Sequence, residues 1–259
     1  MLERARVGGR GYWGLIILLL IVSGVGFLSY LEQWNYGLGI TGLSRDVAWG
    51  LYVANFTFLV GVAASAVMVV LPYYLHNYEQ FGKLTTLGEF LAVAAVIMCI
   101  LFIIADMGQP TRVFYVIFYP HPTSMLFWDM IALNGYLLLN VVIGWSTLDA
   151  ERKAVPPPAW VKPLILLSIP WAFSIHTVTA LIYSGQAARP FWRTALMAPR
   201  FLASAFASGP ALLILICLLI RRLSKFDPGK EALEKLAQIV TYSMIATVFF
   251  LLLELFTVY

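Results

Sequence analysis

The chain of 259 residues is 61% hydrophobic and only 12% charged, whereas soluble domains carry about 25% charged residues. This composition excludes a soluble globular protein and indicates a multi-pass membrane protein. The formal net charge of +4 is not gathered into a basic run interleaved with aromatic residues, so we expect no nucleic-acid partner.

Apolar runs of membrane-spanning length recur along the chain, since roughly 20 apolar residues cross a bilayer. They predict an all-α, polytopic membrane helical bundle with about seven transmembrane helices, at residues 13–31, 47–75, 87–106, 125–148, 163–184, 204–220 and 236–258. The first run is longer than the roughly 7 to 15 residues of a signal peptide's apolar region. We therefore interpret it as a retained helix.

The second run, 47–75, combines one amide with a cluster of small side chains. Asn55 interrupts the apolar sequence, and Gly61 is followed by the short segment 63–66 of alanine and serine. Small residues allow transmembrane helices to approach closely, and a polar side chain at this depth needs a partner or a ligand. We expect the other helices to pack around this run.

Lysine and arginine are distributed unequally between the two sides of the predicted bundle, and such residues accumulate in cytoplasmic segments. Twelve of the seventeen lie on the side of the N-terminus: Arg4, Arg6, Arg10, Lys83, Arg152, Lys153, Lys162, Arg221, Arg222, Lys225, Lys230 and Lys235. The other five are Arg45, Arg112, Arg189, Arg193 and Arg200. We expect a cytoplasmic N-terminus, with the first, third and fifth loops outside.

Polar residues within the predicted helices collect toward the outer side. Asn55 lies eight residues from the predicted start of the second helix and His176 eight residues from the predicted end of the fifth, so each is roughly 12 Å deep. Asp106 closes the third helix, Asp129 lies in the first turns of the fourth, and Glu254 lies in the last turns of the seventh. Ionisable groups inside a membrane usually mark a substrate or proton route. The pattern predicts a polar pocket under a basic outer surface.

Each of these side chains also has a structural interpretation. His176 suits substrate binding and proton transfer because imidazole gains and loses protons near neutral pH, but it could instead bridge two helices. Asp106 and Arg112 could be a pair that ties a helix end to its loop, and Asp129 could be held by loop backbone donors. Glu254 is equally consistent with a proton relay and with a helix-packing contact.

Two further groups of residues have open roles on the outer side. Tyr183 could hydrogen-bond a substrate, although interfacial tyrosines are common membrane anchors. Arg189, Arg193 and Arg200 could dock an outer partner or contact lipid headgroups.

A proton path is a further hypothesis. Glu89 lies at the inner start of the third helix and could be its entry, with Asp129 and Glu254 as outer stations. The stretch between these groups is long and largely apolar.

Residues that bind metals or redox cofactors are sparse. Cys99 and Cys217 lie in apolar runs without CxxC or CxxCH spacing, so no iron–sulfur cluster and no covalent haem is predicted. A b-type haem needs histidines on facing helices, whereas only His176 is deep; His76 and His121 lie at a helix end and in a proline-flanked loop. We predict no haem and no metal site.

Four stretches in order resemble the NrfD/PsrC family of quinone-interacting membrane subunits of respiratory complexes. They are WGLYVANF at 49–56, ADMGQPTR at 105–112, SIHTVTA at 174–180, and PRF at 199–201 followed by SGP at 208–210. The resemblance runs from about residue 45 to the end. By position, it assigns Asn55, His176, Asp106 and Arg112 to a quinone pocket, but Ala63 to Ser65 stand where a pocket histidine would be expected.

The resemblance implies a prokaryotic cytoplasmic (inner) membrane protein that takes quinone or quinol, either menaquinone or ubiquinone, as its substrate. It implies no haem, flavin or iron–sulfur cluster in this chain. The implied partners are a ferredoxin-like iron–sulfur subunit on the outer face, a multihaem cytochrome c, and further membrane and cytoplasmic redox subunits.

The family usually has eight to ten helices, so the chain is expected to be a single membrane domain, 1–259, of a longer bundle. In this scheme 13–31 is a peripheral helix, 47–184 is a four-helix quinone-site bundle, and 204–259 begins a second bundle.

The sequence is consistent with three functions, each belonging to a different class of protein. The first is a quinone module that exchanges electrons with an iron–sulfur partner, with His176, Asp106 and Asp129 in the redox and proton chemistry and Tyr183 at the quinone. The second is a secondary transporter or ion channel, in which the intramembrane polar groups form the path. The third is a structural anchor for redox partners.

Overall fold

The computed structural model describes residues 9–76, 78–153, 155, 157–223 and 226–258, and these residues form helices joined by loops, with no strands among them. The α-helices are α1 (Arg10–Tyr36), α2 (Leu51–Ala63), α3 (Ser65–His76), α4 (Gly82–Asp106), α5 (Tyr115–Phe118), α6 (Met125–Lys153), α7 (Val161–Ser184), α8 (Met197–Leu223) and α9 (Lys230–Val258). Seven helical segments in these ranges are long and apolar enough to cross a membrane, with α2 and α3 forming one of them. The predicted all-α polytopic bundle is confirmed. Arg4, Arg6 and Lys225, used above for orientation, lie outside the described residues.

Several helices begin earlier than their apolar runs predict. The first turns of α4, α8 and α9 contain Gly, Pro or charged residues, which a search for apolar runs passes over. Pro199 is tolerated in the first turn of α8 because the backbone N–H groups there have no intrahelical acceptor. Arg200, which the apolar pattern placed in a loop, therefore lies in the first turns of α8.

The predicted helix over 47–75 begins instead at Leu51 and is interrupted at Ala64. The Ala64 N–H donates to the carbonyl of Gly61, only three residues back, at 3.1 Å. The Tyr136 hydroxyl of α6 donates to the carbonyl of Ala63 at 3.1 Å. This buried hydrogen bond from a neighbouring helix partners a carbonyl at the point where the α2 ladder changes register.

Helix α8 approaches this interruption closely through small residues. A Cβ atom added to Gly209 would lie 2.8 Å from the Ser65 backbone nitrogen and 3.1 Å from the Gly61 oxygen. One added to Gly61 would lie 2.6 Å from the Ser208 Oγ atom. The small residues of the second run therefore allow backbone contact between helices, which stabilises membrane bundles by van der Waals packing.

The last two helices are not separate from the rest. Helix α8 packs against α2, α3 and α7, and α9 packs against α8. The division into a bundle at 47–184 and the start of a second at 204–259 stays a prediction.

Helix α1 lies at the edge of the bundle. Gln33, which is 5% exposed, is the one buried residue of Arg10–Tyr36, and the remaining side chains of α1 are largely exposed. The apolar residues of such a helix face lipid or another protein.

Both cysteines are completely buried. Cys99 on α4 donates weakly from its Sγ atom to the Phe56 carbonyl of α2 at 3.6 Å, and Cys217 on α8 belongs to the core cluster at the other end of the bundle. Both thiols are free.

Candidate functional site

A cavity of about 690 Å³ opens at the end of the bundle that carries loops 37–50, 107–124 and 185–196, which we call the cavity end. It lies between α2, α4, α6, α7 and the segment 107–124. Its volume is typical of small-molecule sites, which range from about 300 to 1,000 Å³. Most of its lining is aliphatic or aromatic. The polar side chains that reach it are Asp106, Arg112, Tyr115, Tyr119, His121, Ser124, Asp129, Asn134 and Tyr183.

Asp129 is the most deeply buried carboxyl group of the cavity, with 3% of the residue exposed. It projects from the second turn of α6, and the Thr179 hydroxyl of α7 donates to its Oδ1 atom at 2.9 Å. Loop backbone donors, the structural alternative considered above, are not its observed partners. The hydrogen bond fixes the carboxyl group across the α6–α7 interface while it lines the cavity.

Asp106 ends α4 and reaches the same cavity. Its Oδ1 atom is buried and has no hydrogen-bond partner in the described part of the chain. Arg112 also lines the cavity, but these two described side chains form no ion pair within 4.0 Å. A buried polar atom without a protein partner indicates a place for water or for a polar group of a ligand.

Tyr183 forms one wall of the cavity together with other aromatic side chains. Its ring lies 5.3 Å from those of Trp49, Trp192 and Phe201, and its hydroxyl shares a hydrogen bond with the Thr57 hydroxyl of α2. Such ring contacts limit the freedom of large side chains. The tyrosine is therefore held by the protein and not by the membrane interface alone.

His121 lines the cavity, whereas the sequence pattern excluded it as a haem ligand and indicated no other role for it. It lies in the loop before α6, where the Ser124 N–H donates to the His121 carbonyl at 2.9 Å and the Trp128 indole donates to the Pro122 carbonyl at 2.8 Å. Helical periodicity cannot place a loop residue. The flanking prolines were the available signal, since they favour a fixed turn.

Asn55 and His176 do not line this cavity. Asn55 lies four residues from the start of α2, roughly 6 Å deep and not 12 Å, and its Nδ2 atom donates to the Leu51 carbonyl at 2.9 Å. His176 is 1% exposed, its Nδ1 atom is 2.6 Å from the Ala172 carbonyl one turn earlier, and its buried Nε2 atom lacks a partner among the described residues. Their roles at a substrate stay predictions.

Glu89 lies far from the cavity end. It precedes Asp106 by 17 residues on α4, which corresponds to about 25 Å along the helix. The residue is 1% exposed, and the Thr147 hydroxyl of α6 donates to its Oε2 atom at 3.0 Å. A single hydroxyl is thus the observed partner of a fully buried carboxyl group.

Arg200 and Glu254 form an ion pair that joins α8 to α9. The Glu254 side chain is 1% exposed and that of Arg200 is 25% exposed, so this arginine is not free on the outer surface. Arg189 and Arg193 are exposed, and the Arg189 guanidinium lies 5.8 Å from the centre of the Trp192 ring.

The fold is that of a polytopic membrane protein, and a cavity of the size of a small-molecule site opens at one end of its bundle. A family model described as "Polysulphide reductase, NrfD" matches residues 39–259. The chain belongs to the NrfD family, and the resemblance found in the sequence is confirmed at that level.

Three curated proteins are similar along most of the chain. A protein of Halobacterium salinarum, named as a membrane subunit of dimethyl sulfoxide reductase, is 29% identical over 251 residues, covering 90% of this chain and 56% of its own length. The "Hdr-like menaquinol oxidoreductase integral membrane subunit" of Archaeoglobus fulgidus is 26% identical, covering 94% and 60%. A selenate reductase subunit of Mesobacillus selenatarsenatis is 23% identical, covering 77% and 54%. The chain thus spans little more than half the length of these relatives.

Proposed function

We propose that this chain is a quinone-binding membrane subunit of a respiratory redox complex, which exchanges electrons between the quinone pool and an iron–sulfur partner. The observation that carries the proposal is the cavity, where an aliphatic and aromatic lining meets two carboxyl groups, Asp106 and Asp129. An apolar molecule with a polar, proton-exchanging headgroup fits this lining. The names of the relatives from H. salinarum, A. fulgidus and M. selenatarsenatis support a reductase complex, and the A. fulgidus name supports menaquinol in particular.

Quinol oxidation releases two protons and two electrons from the two ring hydroxyls, so a site must accept protons and hold both oxygens. In our proposal Asp129 accepts a proton, because Thr179 fixes one of its oxygens and the carboxyl group lines the cavity. Asp106 binds the headgroup through its unpartnered Oδ1 atom, and Arg112, His121 and Tyr183 supply hydrogen-bond donors. The electrons pass to an iron–sulfur cluster of the partner, since this chain is expected to contribute no redox centre.

The proposed partner docks at the cavity end. Arg189 and Arg193 are exposed there and supply positive charge for an acidic surface, whereas Arg200 contributes to the α8–α9 ion pair. We propose that this end is the outer one, with a cytoplasmic N-terminus in a prokaryotic inner membrane, from the lysine and arginine asymmetry. A ferredoxin-like subunit and a multihaem cytochrome c are the expected neighbours.

Within the family, the member that the sequence most resembles, in our proposal, is DsrP, the quinone subunit of the DsrMKJOP complex. We therefore propose a role in sulfur metabolism as the finer assignment. Partner subunits that co-purify with the chain test this assignment directly, because a multihaem cytochrome would be among them.

The site is tested by quinol-dependent reduction of the partner's clusters in the purified complex. We expect Asp129→Asn to lower the rate by about 100-fold, since removing a proton-transfer group typically costs 10²- to 10⁴-fold. Asp149→Asn is the matched control, because Asp149 lies on the same helix at the other end and forms an exposed ion pair with Lys153. Equal rates in the two variants at matched assembly would refute the assignment of Asp129.

The same assay decides the roles predicted from the family pattern. If Asn55→Ala or His176→Ala abolishes electron transfer while quinone binding persists at the cavity, these residues act without lining it. If both variants retain the wild-type rate, their roles are structural. If every cavity variant stays active, the quinone site lies elsewhere and the polar groups of this cavity are structural, as in a membrane anchor.

A further inference from the structure

We infer that Gln33 of α1 is a positioning residue of the quinone site, which fixes the last turn of α4 and thereby the location of Asp106. The inference rests on the proposed quinone function. It goes beyond the family pattern because Gln33 precedes residue 39, where the family model begins to match. It also assigns a role to α1, which otherwise lies exposed at the edge of the bundle.

The Gln33 amide makes two short hydrogen bonds to two different helices. Its Nε2 atom donates to the Ala105 carbonyl of α4 at 2.7 Å, and its Oε1 atom accepts from the Tyr52 hydroxyl of α2 at 2.6 Å. The side chain is 5% exposed, whereas its neighbours on α1 are exposed. Both polar ends of the amide are therefore used within the bundle.

The carbonyl that Gln33 binds is special because of its place in α4. The last four carbonyls of a helix have no intrahelical donor, and Ala105 is the second-last residue of α4. Inside a membrane such a carbonyl needs another partner, and Gln33 provides it. The same turn carries Asp106, whose Oδ1 atom is buried and unpartnered at the cavity.

The second hydrogen bond connects Gln33 to the neighbouring cavity wall. The Tyr52 ring lies 6.4 Å from that of Phe102, and Phe102 lines the cavity together with Val53, the residue after Tyr52. The beginning of α2 and the end of α4 are thus held in register by one amide of α1. Without it, the turn that carries Asp106 loses its external hydrogen bond.

The test is a double-mutant cycle on the intact complex, with the affinity for a fluorescent quinone analogue as the first readout and the quinol KM and kcat as the second. We expect Asp106→Asn to weaken binding of the analogue about 10-fold. Gln33→Met removes both hydrogen bonds at similar size, and we expect it to weaken binding about 5-fold and to raise KM more than it lowers kcat. The double variant should bind within twofold of Asp106→Asn alone, because residues that act through one another are not additive.

Two further variants keep the result interpretable. Gln33→Glu retains the acceptor for the Tyr52 hydroxyl, so α1 stays docked even if Gln33→Met assembles poorly. Glu32→Gln changes the exposed neighbour and should bind the analogue like the wild type.

The outcomes distinguish the positioning role of Gln33 from the quinone site itself. If the two losses of affinity multiply, the double variant binds the analogue about 50-fold more weakly than the wild type. That result would overturn the inference that Gln33 acts through Asp106. Wild-type binding in Gln33→Met or Gln33→Glu, with Asp106→Asn impaired, would overturn the role of Gln33 and leave the quinone site standing. No effect of Asp106→Asn would refute the assigned site, and with it the positioning role.

Discussion

Replacing Gly209 by alanine tests whether contact between α8 and the interruption at Ala64 holds the bundle together. The added Cβ would lie 2.8 Å from the Ser65 nitrogen, 3.1 Å from the Gly61 oxygen and 3.2 Å from the Ser65 Cα atom, whereas ordinary contact begins at 3.4 Å. All three are backbone atoms, so the helices must separate by about 0.6 Å (3.4 − 2.8). Overpacking lowers stability by about 1–3 kcal/mol. A gap of this size also removes about a quarter or more of the energy of each dispersion contact between the helices. We expect a loss of about 2–3 kcal/mol.

The neighbouring glycine provides a graded comparison. A Cβ on Gly61 meets the Ser208 Oγ atom at 2.6 Å, which is the end of a side chain that can rotate away. We expect Gly61→Ala to cost about 1 kcal/mol and the added Ser208→Ala change to recover most of it.

Denaturant-induced unfolding in detergent, followed by helical circular dichroism, measures these differences in free energy. Gly24→Ala on α1 is the control, because no atom outside the adjoining backbone of its own helix lies within 4 Å of the added Cβ. It should be neutral or stabilising by up to about 1 kcal/mol, the usual gain of Gly to Ala in a helix. The reasoning is refuted if Gly209→Ala is as stable as Gly24→Ala, or more stable than Gly61→Ala.

Three further predictions concern charged and polar groups. Arg200→Met leaves the buried Glu254 carboxylate unpaired and should cost about 3–5 kcal/mol, with partial recovery on adding Glu254→Gln; unchanged thermal unfolding in detergent would contradict this. Tyr183→Phe keeps the ring contacts but loses the hydrogen bond with Thr57, so we expect a cost of about 1 kcal/mol and weaker binding of a quinone analogue, and intact binding would exclude its hydroxyl as a ligand. If Glu89 belongs to a proton path, Glu89→Gln should lower proton uptake per electron pair in membrane vesicles, and an unchanged ratio would remove that path.

The number and approximate positions of the spans could be predicted from sequence because they follow from the length and hydropathy of the apolar runs. The interruption at Ala64 could not, because the contact that accompanies it is tertiary: the hydroxyl of Tyr136, 73 residues after Ala63, donates to the Ala63 carbonyl. Pro72, the local signal for a break, instead lies inside α3. The sequence around the interruption therefore does not reveal its position.

The candidate site was likewise predicted only in part. Depth along the helices predicted that Asp106 and Asp129 lie at one end of the bundle, and the structure places both at one cavity. Depth counts assume a helix start, so Asn55 was placed too deep when α2 began at Leu51. Gln33 and His121 were missed because neither a helix-end amide nor a loop imidazole leaves a periodic signal.

Cys99 and Cys217 are the two cysteines of the sequence, and both are 0% exposed. The chain is therefore unreactive toward water-soluble thiol reagents. A thiolate must form and be reached before it reacts. A single cysteine introduced at an exposed loop position would thus be the one reactive thiol of this chain, in intact cells as in sealed vesicles. The two native cysteines therefore need not be replaced first. Labelling of a cysteine introduced into each loop in turn would show which side of the membrane that loop faces.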